Sequence, residues 1–192
     1  MTAKYLQSIE YFSQRDNKYN PSVACFSTAT AMAIEYIANQ KEIDIDTGGL
    51  QLEDYIVKQC LDLTYAEKDR LVAVNGDWIL SSRPFQVIPI MAYVCKKIIP
   101  TTKENWAISF EDVKKSIDNN TPVVCLGDFS KMSYVKGHYN TIIGYNDQTK
   151  YVFTMDPWGN SYENYRVQDG SNMYYSWNIF ERSGSNSYGI TF

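Results

Sequence analysis

Two stretches decide the fold and the chemistry together: Gly137-His138-Tyr139-Asn140-Thr141-Ile142-Ile143-Gly144-Tyr145, and Tyr151-Val152-Phe153-Thr154-Met155-Asp156, which runs on into Pro157-Trp158-Gly159. Both are rich in β-branched and aromatic residues, and the polar turn Asn146 to Lys150 separates them, as in a β-hairpin. Pairing Tyr145 with Tyr151 sets Asp156 opposite Asn140. Side chains alternate along a strand, so His138 and Asn140 share a face. Asp156 is then a diagonal neighbour of His138, with Cα atoms about 7–8 Å apart and an imidazole–carboxylate hydrogen bond within reach. A slip of one residue would put the two on opposite faces. His138 is the only histidine in the 192 residues, which excludes any mechanism needing two imidazoles, such as a His-rich zinc site.

Working outward, Pro122 to Leu126 reads as another short strand. The tail, 157–192, is rich in Gly, Asn, Ser and Tyr and is expected to add further short strands and loops. Upstream the period changes to that of helices. From Cys25, the residues Ala29, Met32, Ala33, Tyr36 and Ile37 form the apolar stripe of a helix buried on one face. After the break at Asp46-Thr47-Gly48-Gly49, Leu50 to Leu63 reads as a second helix. Phe85 to Ile98 reads as a third, with Pro89 near its start. Ser109-Phe110-Glu111-Asp112 resembles a helix cap, opening a short helix to about Ile117. Residues 5–24 are polar, with a turn at Asn20-Pro21. Helices precede strands, so the expected class is α+β. A single domain over 1–192 is expected, helical over about 1–120 and β over about 121–192.

Composition narrows the function. Hydrophobic residues make up 44% and charged residues 21%, an ordinary globular balance. The net charge is −4 and no Lys/Arg run occurs, so neither nucleic acid nor an anionic membrane surface is expected as a partner. No stretch approaches the ~20 apolar residues of a membrane span. Met1 to Tyr11 lacks the basic-then-apolar pattern of a signal peptide, so the expected location is cytoplasmic, or outside after release without a cleaved signal. Sixteen tyrosines and four tryptophans suit either packing or a surface that handles peptides or sugars. The oligomeric state is left open.

The four cysteines have no C-x-x-C pair and are expected to be free thiols. Cys60, Cys95 and Cys125 lie in apolar runs and read as small buried hydrophobes. Cys25 instead stands at the first turn of its helix, where unpaired N–H groups and the helix dipole favour a thiolate. With His138 to take its proton and Asp156 to fix the imidazole tautomer, Cys25 becomes a candidate nucleophile. Each residue also has a plain alternative: a packed cysteine, a core histidine bonded to a carbonyl, an aspartate that only starts the Asp-Pro turn. Ser27, Thr28 and Thr30 read as helix-start packing and capping. Trp158, Tyr139 and Tyr145 flank the site and suit either a groove or the core. Asp44 to Gly49 hints at a calcium loop, but its twelfth position is Tyr55 rather than glutamate, so a solvated turn is the reading.

The segments Gln14-Arg15-Asp16, Val23-Ala24-Cys25 and Ala31-Met32-Ala33-Ile34 resemble the nucleophile region of the bacteriocin-processing (double-glycine) cysteine peptidases and their stand-alone papain-like relatives. Gly137-His138 with Gly144-Tyr145-Asn146, followed by Asp156-Pro157-Trp158-Gly159, is similar to that family's histidine strand and Asp-Pro turn. The resemblance implies a papain-like fold with a helical lobe packed on an antiparallel β lobe. It implies a Cys25–His138–Asp156 triad acting through a thioester, with Gln14 as oxyanion donor beside the Cys25 N–H and Gln7 as the other candidate. No cofactor or metal is required, and the substrate would be a peptide bond in a protein or a cell-wall peptide. Phe26 departs from the family's glycine after the cysteine and is expected to reshape or block a subsite. That departure keeps a non-catalytic peptide-binding module open as an alternative, beside an acyl transferase using the same triad.

Overall fold

The computed structural model describes residues 3–64, 66–67, 84–181 and 187–192. Among these, seven strands form one sheet: β1 (Ala3–Tyr5), β2 (Lys103–Ile108), β3 (Val123–Asp128), β4 (Gly137–Asn146), β5 (Tyr151–Met155), β6 (Met173–Ser176) and β7 (Ser187–Thr191). Their order is β2-β7-β3-β4-β5-β6, and β1 pairs with the far end of β4. Every pairing is antiparallel. The helices are α1 (Cys25–Gln40), α2 (Leu52–Asp62), α3 (Pro84–Lys96) and α4 (Phe110–Asp118).

The apolar stripe of α1 foretold one buried face, yet Phe26 to Ile34 are buried without a break. The cause is placement: β3 and β4 cover one side of the helix and α2 another. Small residues (Ser27, Ala29, Ala31, Ala33) make that possible by letting neighbouring backbones approach. The Thr141 hydroxyl on β4 donates to the Ala29 carbonyl at 2.6 Å. The α4 start is capped as expected: Ser109 Oγ accepts from the Asp112 N–H at 3.1 Å while the Asp112 carboxylate accepts from the Ser109 N–H at 3.0 Å. Helix α3 begins at Pro84, so Pro89 lies well inside it rather than near its start. Within Asp44 to Gly49 the chain turns at Gly48-Gly49, with the Asp46 carboxylate accepting from the Gly48 N–H at 2.9 Å.

Two strands fall in the part expected to be helical. Strand β1 is only three residues long, too short to show a period. Strand β2 is an edge strand whose first five residues are exposed or half-exposed, so it lacks the alternation that marks a half-buried strand.

The hairpin register was expected with Tyr145 opposite Tyr151. Near the turn it is one residue different: Asn146 pairs with Tyr151, Tyr145 with Val152 and Gly144 with Phe153. The loop is shorter than expected because Asn146 stays in the strand while its side chain accepts from the N–H groups of Gln148 and Thr149, and Lys150 closes the turn at φ 53°. An irregularity between Ile142 and Gly144 then restores the expected register, so that Ile142 pairs with Thr154 and Thr141 with Met155. The extra residue is put to use: the Ile143 carbonyl accepts from the Leu6 N–H at 2.7 Å, docking the N-terminal segment.

At the start of α2, Asp54 accepts from the backbone N–H groups of Lys18 and Tyr19, and its neighbour Glu53 is only 3% exposed. Burial, with the charges of Asp16 and Asp54 adding, pushes the Glu53 carboxyl up to about 7, against the opposing pull of its own backbone N–H. The unfolded chain loses this proton near pH 4.5 and the folded chain near 7, so Glu53 costs stability progressively across that interval. Replacing Glu53→Gln should therefore stabilise the protein by on the order of 2 kcal/mol at pH 8 and change little below pH 4.5. Urea denaturation at the two pH values measures this, and an equal effect at both would contradict it.

Candidate active site

Cys25 is the first residue of α1, entered through a short 3-10 turn at Pro21–Val23 with Ala24 at the cap position. No side chain caps this helix start, so its first N–H groups and the positive end of the dipole face the thiol. Ser27 and Thr28 are spent on structure, as expected: Ser27 Oγ donates to the Ala24 carbonyl, and Thr28 Oγ1 accepts from Asn17 Nδ2. None of the four cysteines is in a disulfide, and Cys25 alone is partly exposed. Burial raises the Cys95 thiol well above its usual range and pushes Cys125 up to about 12, which leaves both inert as nucleophiles.

His138 is the second residue of β4 and is 2% exposed. Its Nε2 meets Asp156 Oδ1 at 2.6 Å, and Cys25 lies near enough to raise the basicity of the ring. With Nε2 held by the carboxylate, Nδ1 is the nitrogen left for the thiol. The three residues expected to act together are thus contiguous, and the restored register at the site end of the hairpin is what allows it. Burial on its own pulls the imidazole pKa down, but the Asp156 charge and hydrogen bond, reinforced by Cys25, outweigh it and raise the value to about 10.

Asp156 is fully buried and held on all sides. Its Oδ1 also accepts from the Trp158 N–H at 3.0 Å, while Oδ2 accepts from the hydroxyls of Tyr175 and Tyr165 at 3.0 and 3.3 Å. Its backbone N–H donates to the Gly170 carbonyl, and its carbonyl accepts from Tyr11 and from the Gly159 N–H. A Cβ on Gly170 would lie 2.0 Å from that carbonyl oxygen, so only glycine fits there. Tyr11, Tyr165 and Tyr175 were not found by sequence reasoning. They come from remote positions in polar or tyrosine-rich segments, and no spacing links them to Asp156.

Gln14 is 2% exposed and bridges the two halves of the site. Its backbone N–H donates to the Pro157 carbonyl at 2.9 Å, and its side-chain Nε2 donates to the Pro21 carbonyl at 2.6 Å, just before Cys25. Gln7, the other candidate, is exposed and lines a separate cavity with Tyr5, Phe153 and Met155. Arg15 ties the same region down. It donates to the carbonyls of Trp158 and Tyr165, and its guanidinium lies 4.3 Å from the centre of the Trp158 ring.

Of the three flanking aromatics, Trp158 stays partly exposed, its indole N–H donating to Tyr134 at 2.8 Å. Tyr139 and Tyr145 are core residues. Phe26 points inward as well, 4% exposed and stacked on Tyr139 with ring centres 4.1 Å apart. Of the expectation that Phe26 reshapes or blocks a subsite, the blocking part is corrected: the ring fills core space against Tyr139 and does not project as a block.

Because the folded pKa of His138 lies above 6.5, the pairing stabilises the protein fully below about pH 6.5, and this contribution is lost as the pH rises toward 10. NMR titration of the sole histidine should show an imidazolium persisting well above pH 8. Asp156→Asn should bring the transition down below 6.5, because burial then dominates. A midpoint near 6.5 in the parent protein would contradict the assigned charge state.

A family model described as Peptidase_C39 like matches residues 6–185. A crystal structure described as that of a C39-like peptidase from Bacillus anthracis is similar at a TM-score of 0.58 and 15% identity, over 98% of this chain and 96% of that one. Xylellain, a cysteine protease from Xylella fastidiosa, is similar at a TM-score of 0.46 and 15% identity, over 100% of this chain and 85% of that one. No curated protein matches. The first likeness is one of fold, and it agrees with the α+β, papain-like arrangement of α1 against the antiparallel sheet. With the family model spanning nearly its whole length, the chain belongs to the Peptidase_C39-like family of cysteine peptidases.

Proposed function

We propose that the protein is a cysteine peptidase or amide hydrolase, one papain-like domain over residues 1–192, whose nucleophile is Cys25. The observation that carries this reading is the position of His138, bonded to Asp156 and with the partly exposed Cys25 near enough to raise its basicity. His138 takes the thiol proton, and the thiolate attacks the scissile carbonyl carbon, pushing the carbonyl electron pair onto oxygen. Gln14 and the Cys25 N–H stabilise that oxyanion. The oxyanion collapses, the C–N bond breaks, and the imidazolium gives its proton to the leaving amine. Water then attacks the thioester with His138 as base, releasing the acid and regenerating the thiol. Asp156 holds the imidazole tautomer and offsets the imidazolium charge throughout.

The substrate is a peptide bond in a protein or a cell-wall peptide, and the residues require no cofactor or metal for these steps. Among the described residues no helix is long and apolar enough to cross a membrane. Phe26, the residue that favoured a non-catalytic peptide-binding module, is buried in the core.

A mixed fluorogenic peptide library and purified peptidoglycan serve as probes. Cys25→Ala and His138→Ala should each abolish turnover while leaving the fold intact, and a thioester adduct should be trappable on Cys25. Gln14→Ala should lower kcat by about 100- to 1,000-fold with a smaller change in KM. Undiminished turnover by Cys25→Ala would overturn the proposal.

A further inference from the structure

The hydroxyls that meet Asp156 Oδ2 come from two separate elements. Tyr175 lies on β6 and is fully buried; Tyr165 follows the short 3-10 turn Ser161–Glu163 and is 3% exposed. Ser161 Oγ donates to the Tyr175 hydroxyl at 2.8 Å, so that oxygen is already occupied as an acceptor and its proton is directed at the carboxylate. Burial first, and then the Asp156 charge, raise both phenol pKa values and keep them as donors. The rings also brace the imidazole. Tyr165 stands edge-on to His138 with centroids 6.0 Å apart, and Tyr175 stands edge-on to Phe129, which itself stands edge-on to His138.

A carboxylate has two equivalent oxygens and a soft terminal torsion, and His138 and the Trp158 N–H both engage Oδ1, so among the described residues nothing but the phenols holds Oδ2. We propose that Tyr165 and Tyr175 are positioning residues that pin Oδ2 of Asp156, so that Oδ1 is the oxygen His138 meets, with Ser161 setting the direction of the Tyr175 hydroxyl. This role rests on the reading of Cys25, His138 and Asp156 as one catalytic unit. A deleted hydroxyl leaves ring packing in place while releasing one side of the carboxylate.

The sole histidine makes the test clean, because its Nε2–H proton signal needs no assignment among competitors. In the full-length parent that low-field signal should be sharp and slow to exchange. In Tyr165→Phe/Tyr175→Phe it should broaden beyond detection, and iodoacetamide should alkylate Cys25 at least tenfold more slowly at pH 6, with the backbone amide spectrum retained. Tyr165→Phe alone should give a partial loss of both, and it carries the test if the double variant does not fold. A signal as sharp as in the parent, with alkylation within twofold, would overturn the role. The signal reports the His138–Asp156 contact whether or not a peptide is cut. Parent protein with the expected signal and no turnover would thus overturn the peptidase reading alone, while loss of that signal in the variants would still support the pinning of Asp156.

Discussion

The contact between His138 Nε2 and Asp156 Oδ1, 2.6 Å long, is the constraint on which the rest of the site depends. Both residues are buried, 2% and 0% exposed, and removing two charges from water costs more than their mutual attraction returns unless other groups satisfy them. The protein supplies those groups for the carboxylate, with one backbone N–H and two phenol hydroxyls, and sets Cys25 near the imidazole, where it adds to the basicity of the ring. Much of the tail has this as its structural purpose. The turn after Asp156, the 3-10 turn at Ser161–Glu163 and strand β6 each bring one donor or the partner of one.

The N-terminal segment closes the same arrangement from the other side. Tyr11, Gln14 and Arg15 reach carbonyls of Asp156, Pro157, Trp158 and Tyr165 more than 140 residues later in sequence. Gln14 also reaches Pro21, on the approach to the nucleophile helix. The segment that carries the oxyanion candidate is thereby fastened both to the turn that carries the acid and to the turn that delivers the cysteine. Few of these bonds are local, so the site forms only when the whole fold does.

What the sequence disclosed follows the strength of its local signals. Cys25 at a helix start, the His138 strand and the Asp-Pro turn were legible because each is a short pattern with a physical meaning. The Asp156–His138 proximity was legible too, although by a route only half right. The turn is one residue shorter than Asn146 suggested, and an irregularity near Ile143, invisible in the apolar run Ile142-Ile143-Gly144, compensates for it. Strand β2 stayed hidden because an exposed edge strand has no alternation. Phe26 turns inward because α1 is buried from Phe26 to Ile34, with only Cys25 partly exposed at its start. Tyr165 and Tyr175 reach Asp156 through tertiary structure alone, and a tyrosine-rich tail gives no hint of which hydroxyl will meet a charge.

The central claim is that Cys25 and His138 act as one ionic pair. The most direct measurement is the rate of Cys25 alkylation by iodoacetamide, site by site with mass detection, in the parent and in His138→Ala. Cys25 should react far faster than buried Cys60 near neutral pH, and loss of the imidazole should slow it at least tenfold. If Cys25 labels no faster than Cys60, and its rate ignores the loss of His138, the ion pair does not exist and the mechanism built on it fails.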